Sequence, residues 1–433
     1  MRAIRLMAAK ELREAFQSGR VALAGIVMAV LLVMSVFLMY RDFQERLENF
    51  DLIRPEPTES VAVLRPNPLS ILARGLDDAM GRSFELSVVL IDIGATQQAA
   101  NELFSLVRPP DLLYITQVVF SLLALLAAFD LMSGEKEGGT LRMLVASGIS
   151  RGQMLAGKWL GGLLAILMPY AVVVAAGMLA LAMLPGLALT AQHWGRATAF
   201  FVLGGLYLTF SFTLGLAISA WTKRAASTLV IGLFIWVCLV FVVPNVATLV
   251  ARQTSRVPPV EELQLLRNQA FEAGMIEALE EMRSWPPDLP ASERQAFWPA
   301  RWKKIVDENE AISERYRRPL AQLVSTGRWM SRLSPAASYV HAGTSLVGTG
   351  IDDEAELKAE VLAYWDRIFP QLAANAMGRQ EGVAEAYPPF EFRRRSLSEV
   401  LAGSAVVDIA WLTLATLGLF GVAAIGAARY DVR

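Results

Sequence analysis

At 433 residues, with 54% hydrophobic residues, 19% charged residues and a mean hydropathy of +0.41, the chain is too apolar for an ordinary soluble enzyme and fits a polytopic membrane protein. Its formal net charge of −1 offers nothing to nucleic acid, and no nucleic-acid partner is expected. A single cysteine, Cys238, excludes a disulfide within the chain and cysteine-based metal sites.

Residues 1–20 carry Arg2, Arg5, Lys10, Arg13 and Arg20 between Ile4, Leu6, Ala8, Leu12 and Phe16. That pattern suits a cytoplasmic helix lying along membrane lipid, or a simple basic retention signal, and both readings stay open. The first apolar run, 21–40, has the basic leader of a signal peptide, but it is longer than a signal core and no small-residue cleavage pattern follows, so a retained first span is expected. A polar first extracytoplasmic region, 41–110, comes next, broken by Pro55, Pro57, Pro66, Pro68, Pro109 and Pro110. Within it FELSVVLIDI, residues 84–93, is too short to span as a helix and reads as a strand.

Further spans are expected at 111–133, 159–184, 197–220, 227–250 and 401–428, with a cytoplasmic loop at 134–158. Six spans leave both termini on one side. The Lys/Arg count decides which: the short segments sharing that side carry Arg2, Arg5, Lys10, Arg13, Arg20, Lys136, Arg142, Arg151, Lys158, Lys223, Arg224, Arg429 and Arg433, whereas the short loop opposite offers Arg196 alone. Both termini are therefore expected in the cytoplasm. The second extracytoplasmic region, 251–400, holds 19 Lys/Arg and 22 Asp/Glu and reads as a soluble, mainly helical domain. Amphipathic helices are expected at 259–284, 303–332 and 352–377, with breaks at WPPDLP, SPAAS and YPPF. The fold class is thus all-α and polytopic, six transmembrane helices with a small mixed ectodomain after the first and a larger, mainly helical one after the fifth. Ser150 with Gln153, and Ser396 with Glu399, form capping-box patterns ahead of the third and sixth spans.

Chemistry-bearing motifs are few. GQMLAGK, ending at Lys158, has the formal spacing of a phosphate loop, but Trp159 stands where the magnesium-holding hydroxyl belongs and no strand precedes it. Gly157 and Gly161 read better as a small-xxx-small contact between helices. His193 and His341 are the only histidines; with no HExxH and no GxSxG, no catalytic, cofactor or metal residue is assigned. Asp408, several residues inside the last apolar run, marks either a polar cavity or partner in the translocation path, or an interfacial carboxylate meeting a neighbouring hydroxyl. Asp130 lies at the opposite membrane face, too far from it to form a protease dyad.

The stretch EKEGGTLRMLVASGISRGQMLAGKWL resembles the signature of type-2 ABC exporter permeases. Glu135, Glu137, Gly139, Thr140, Leu141, Ser150, Arg151, Gly157 and Lys158 occupy its motif positions, with Arg142 and Leu144 on the short helix between them. NPLSILARGLDDAMGRSFEL, residues 67–86, is similar to a subgroup with enlarged ectodomains. The resemblance implies that this segment couples to separate ABC ATPase subunits, which hold ATP and Mg while this chain binds no cofactor and hydrolyses nothing. It also implies a second permease subunit, identical or related, in a bacterial cytoplasmic (inner) membrane. Export is the expected role. The alternative is a mechanical or scaffolding subunit whose ectodomain engages an envelope protein.

Overall fold

Runs of apolar residues longer than any globular core needs set the architecture. The computed structural model describes residues 2–53, 59–81, 83–86, 91–93, 110–140, 149–254, 256–376 and 386–429. In chain order these form α1 (Arg2–Gln17), α2 (Arg20–Ile53), β1 (Val61–Val63), β2 (Ser83–Leu86), β3 (Ile91–Ile93) and α3 (Leu112–Glu137). They continue as α4 (Arg151–Met183), α5 (Ala191–Trp221), α6 (Ala225–Thr254), α7 (Val260–Arg283), α8 (Ala291–Ser331), α9 (Pro335–Val347), α10 (Ile351–Ala376), α11 (Leu397–Ala402) and α12 (Ser404–Arg429). Among the described residues six helices, α2 to α6 and α12, are long and apolar enough to cross a membrane, and the chain is an all-α polytopic membrane protein.

Helix α5 is the hub. Its most apolar window is 78% buried, against 22% for α6 and for α12, so the other spans wrap it and turn their remaining faces to lipid. Small residues permit the approach. A Cβ on Gly204 would run into the Tyr170 hydroxyl, and one on Gly215 would lie 2.7 Å from the Leu125 carbonyl. The hydroxyls of Thr209, Ser211 and Thr213 donate to the carbonyls four residues back, which satisfies them without leaving the helix.

Two segments depart from the sequence expectation. The first span was expected to end at Tyr40, but α2 runs on to Ile53, because Asp42 and Arg46 on its outer turns find partners. Arg46 pairs with Asp42 and Asp77 and donates to Ser70, and Arg74 pairs with Asp42 and Asp78. At 1.5 Å per residue, 34 residues rise about 51 Å, well beyond a bilayer core of about 30 Å. The stretch 84–93 was expected as one strand and instead supplies two: β2 pairs antiparallel with β3 in the register Phe84 to Ile93, Glu85 to Asp92 and Leu86 to Ile91. β1 covers the other edge of β2, with Val61 opposite Glu85.

The two regions expected as separate ectodomains fold as one. Ala62, Leu64, Met80, Phe84 and Leu86 of the first share a buried cluster with Leu357, Val361, Tyr364, Trp365 and Ile368 of α10. Strands of only three or four residues bury little apolar surface among themselves, and α10 supplies the cover.

Helix α9 returns from this outer domain into the bundle. Ser334 opens it as N-cap, accepting from the amides of Ala336 and Ala337, with Pro335 at the first position where its missing N–H costs nothing. Small residues let it press against α5 and α12, and a Cβ on Gly343 would sit 2.5 Å from Leu113. Tyr339 stacks on Tyr207 of α5 at 4.6 Å between centroids, a pairing worth about 0.5–1.5 kcal/mol beyond its area. Gly348 ends the helix in the left-handed region, φ +80°, and the Arg196 guanidinium caps it, with Nε donating to Leu346 O at 2.5 Å and Nη2 to Ser345 O at 3.0 Å. Segment 67–76 grips the same turn. Asn67 donates to Val347 O at 2.6 Å, the Leu76 amide to Thr349 O at 2.9 Å and the Thr349 hydroxyl to Ala73 O at 3.1 Å.

Candidate functional site

Three successive charges at the end of α3 reach three different helices. Glu135 Oε1 lies 2.7 Å from Lys158 Nζ on α4. Lys136 Nζ donates to Ser219 O, Ala220 O and Thr222 O at 3.2, 2.5 and 3.0 Å, satisfying carbonyls that the end of α5 leaves free. Glu137 Oε2 accepts from the Ala225 amide at 3.0 Å, where the start of α6 leaves an N–H free. A helical turn points neighbouring side chains about 100° apart, so a Glu-Lys-Glu run fans out to all three neighbours at once.

Lys158 is 1% exposed and also pairs with Glu11 of α1 at 2.6 Å. One ammonium therefore joins α1, α3 and α4, and its burial keeps it from touching a docked protein directly. Gly157 and Gly161, on the same stretch of α4, face α1: a Cβ on Gly157 would lie 2.6 Å from Met7 Cβ, and one on Gly161 2.5 Å from Ala8 O. Gly161→Leu is expected to push α1 off α4 at a cost of about 1–3 kcal/mol, read as a lower melting temperature of the purified chain.

Gly139 follows in the left-handed region, φ +72°, and the Thr140 hydroxyl donates to Glu135 O at 3.4 Å. Leu141, Arg142 and Leu144, expected on the docking helix, lie outside the described residues. At the start of α4, Ser150 and Gln153 form a reciprocal capping box, and the Arg151 guanidinium donates to Ala428 O near the end of α12. The structure thus brings Glu135, Glu137 and Lys158 into one charged end of the bundle, with Ser150 and Arg151 at the entrance to α4. Glu11 was missed from sequence. The available signal was its spacing: Met7 and Glu11, four residues apart, share one face of an otherwise basic helix, and both are buried.

Asp408 sits at the far end of the bundle, in the first turns of α12, and is 1% exposed. Arg332 grips it bidentately, Nε to Oδ1 at 2.6 Å and Nη2 to Oδ2 at 3.2 Å, and Arg328 Nη2 stands 3.6 Å from Oδ2. Arg328 also holds Asp352 at 2.8 Å, and the Ser404 hydroxyl donates to the same carboxylate. Asp408 thus meets two arginines, Arg328 of α8 and Arg332 just past its end. Asp130 is far from it and pairs instead with Arg20 at 2.8 Å.

His341 lies beside this cluster, its Nε2 2.8 Å from the Ser331 hydroxyl, with Asp408, Asp352, Arg328 and Arg332 around it. Burial, opposed by the two carboxylates and aided by the two arginines, brings its imidazole from 6.5 down to about 4. Between those values the unfolded chain binds the proton and the folded chain does not, so the contribution of His341 to stability is whole above pH 6.5 and is lost as pH falls towards 4. His341→Gln is expected to flatten the fall of melting temperature across that window. The other histidine, His193, is spent on structure, completing a capping box with Thr190 at the start of α5.

A family model described as ABC-2 family transporter protein matches residues 5–423. Two relatives are both described as probable ABC transporter permease protein NosY. The one from Pseudomonas aeruginosa is 28% identical over 247 residues, covering 52% of this chain and 88% of that protein. The one from Stutzerimonas stutzeri is 33% identical over 153 residues, covering 34% of this chain and 54% of that protein.

Proposed function

Because the chain belongs to the ABC-2 transporter family, we propose that it is the permease subunit of an ATP-driven exporter in a bacterial cytoplasmic membrane, with both termini inside. In this reading a separate ATPase pair carries ATP and Mg and docks at 135–151, and a second permease subunit, identical or related, completes the path. The carrying observation is the Glu135-Lys136-Glu137 triplet, which joins the docking segment to α4, α5 and α6 through one side chain each. A displacement of the triplet reaches three spans through these contacts. Lys158 extends the same linkage to α1. Glu137→Arg combined with Thr140→Trp removes the α6 link and crowds the docking face. It is expected to lower co-purification with the ATPase encoded alongside, and ATP hydrolysis by the complex, by about tenfold, the equivalent of ~1.4 kcal/mol. Unchanged association and hydrolysis would sink the assignment.

A second reading has an observation of its own. The outer domain is anchored to α12 by a buried ion cluster and to α5 by α9, so a motion of the spans is passed to it directly. The chain would then serve as a mechanical subunit acting on an envelope protein. Solute accumulation in inverted vesicles favours export; movement of the outer domain with ATP and no solute flux favours the mechanical role.

A further inference from the structure

A cavity of about 770 Å³ opens between α1, α2, α3 and α4, with Leu229 of α6 closing one side. That volume lies within the range of small-molecule sites, about 300–1,000 Å³. The two halves of its wall differ in chemistry. One half is apolar, built from Leu123, Leu126 and Ala127 of α3, Ala165 and Ile166 of α4, and Leu23 of α2. The other carries Glu11, Glu14, Asp130 and Glu135 against Arg20 and Lys158.

Position and charge each narrow the occupant. From Leu123 to Glu135 α3 rises on the order of 18 Å, so the site runs from a charged mouth at the end of the spans deep into their apolar length. An elongated molecule with one polar end fits that shape, and the surrounding bilayer supplies such molecules. Four carboxylates face two lining cations and Lys10 just outside, and all three cations are already engaged: Lys158 by Glu11 and Glu135, Arg20 by Asp130 at 2.8 Å, and Lys10 by Glu14 at 3.4 Å, which leaves the site one positive charge short. Among the described residues Glu135 Oε2 has no hydrogen-bond partner. The wall therefore lacks a cation. Arg20, 58% exposed, keeps donors free for an anion beside it.

The geometry points to this cavity as a binding site for a membrane phospholipid whose head carries a primary ammonium next to its phosphate. The acyl chain lies along Leu123, Ala127 and Ile166, the phosphate meets Arg20, and the ammonium balances the carboxylates at the mouth. This assignment stands apart from the transport reading and depends only on the chain being embedded in a bilayer. Lipid held here would fasten α1 to the spans at the level of the Lys158 linkage.

The test uses the full-length chain in bilayer discs holding a trace of phosphatidylethanolamine with a photoreactive acyl chain, compared with the same acyl chain on phosphatidylglycerol. Labelled peptides are located by mass spectrometry. The ethanolamine probe is expected to label the peptide containing Leu123 to Ala127 about tenfold more than the glycerol probe. The peptide containing Leu414 and Leu417, exposed on α12, is expected to take both equally. Ala127→Trp fills the cavity from its apolar side without touching the ion pairs and should abolish the preferential labelling. Glu14→Lys, at an exposed position of the mouth, should reduce the head-group preference. Melting temperatures and labelling of α12 show that both variants are folded. Equal labelling by the two probes in the unaltered protein overturns the proposal, as does preference undiminished in Ala127→Trp or in Glu14→Lys.

Discussion

Lys158→Met is expected to destabilise the purified chain by about 3–5 kcal/mol, the cost of removing one partner from a buried ionic group. The size follows from what stays behind. Glu11 is 6% exposed and Glu135 17%, and without the ammonium two like charges face each other in a largely buried site. The triple change Lys158→Met with Glu11→Leu and Glu135→Gln removes those charges together. It should recover most of the loss, since replacing a whole buried ionic group by packed apolar side chains is often neutral or better. Denaturant or thermal unfolding in detergent measures both. The pair of variants separates structure from function: if the triple variant folds normally but hydrolysis by the proposed ATPase partner no longer responds to it, the triad transmits motion as well as holding helices together. If it folds normally and coupling persists, the linkage to α1 is structural alone.

Much of the membrane half was legible in the sequence because its signal is crude and local. A run of about 20 apolar residues has few alternatives, and six such runs are six spans. The capping boxes at Ser150 and Ser396 were legible for a similar reason, since both partners lie within four residues of each other. What escaped depends on chain that is distant in sequence. The continuation of α2 past Tyr40 is fixed by Asp77 and Arg74, more than 25 residues on. The merging of the two outer regions rests on contacts between residues 62–86 and 357–372. SPAAS was read as a break and does separate α8 from α9. Its Ser-Pro pair also carried a helix-start signal, whereas nothing in thirteen small and mixed residues announced that α9 would return into the bundle. Asp408 stood out in the sequence as a charge inside an apolar run, but its partner, 76 residues earlier, was one arginine among nineteen basic residues of the outer region.

Asp408→Asn is the second large effect, about 3–5 kcal/mol, because it leaves the Arg332 guanidinium 9% exposed and without its carboxylate. Arg328 is spared the same fate by Asp352, and the face of Trp329, 4.4 Å from Arg332, offsets only part of the loss. A surface pair on the same helix gives the contrast. Arg317 and Glu310, 40% and 48% exposed at 2.8 Å, are expected to contribute less than about 1 kcal/mol, although the two pairs have similar distances. A double-mutant cycle of Asp408→Leu and Arg332→Met should return a coupling energy no smaller than the single-variant loss, about 3–5 kcal/mol, with the double variant close to the unaltered protein in stability. That variant is also the instrument for choosing between the two functional readings. It keeps the outer domain folded on α10 while cutting the charged tie between α8 and α12. Solute flux that survives the cut, with motion of the outer domain lost, belongs to an exporter whose outer domain is an accessory. Loss of both together means that the tie lies on the path by which the spans do their work.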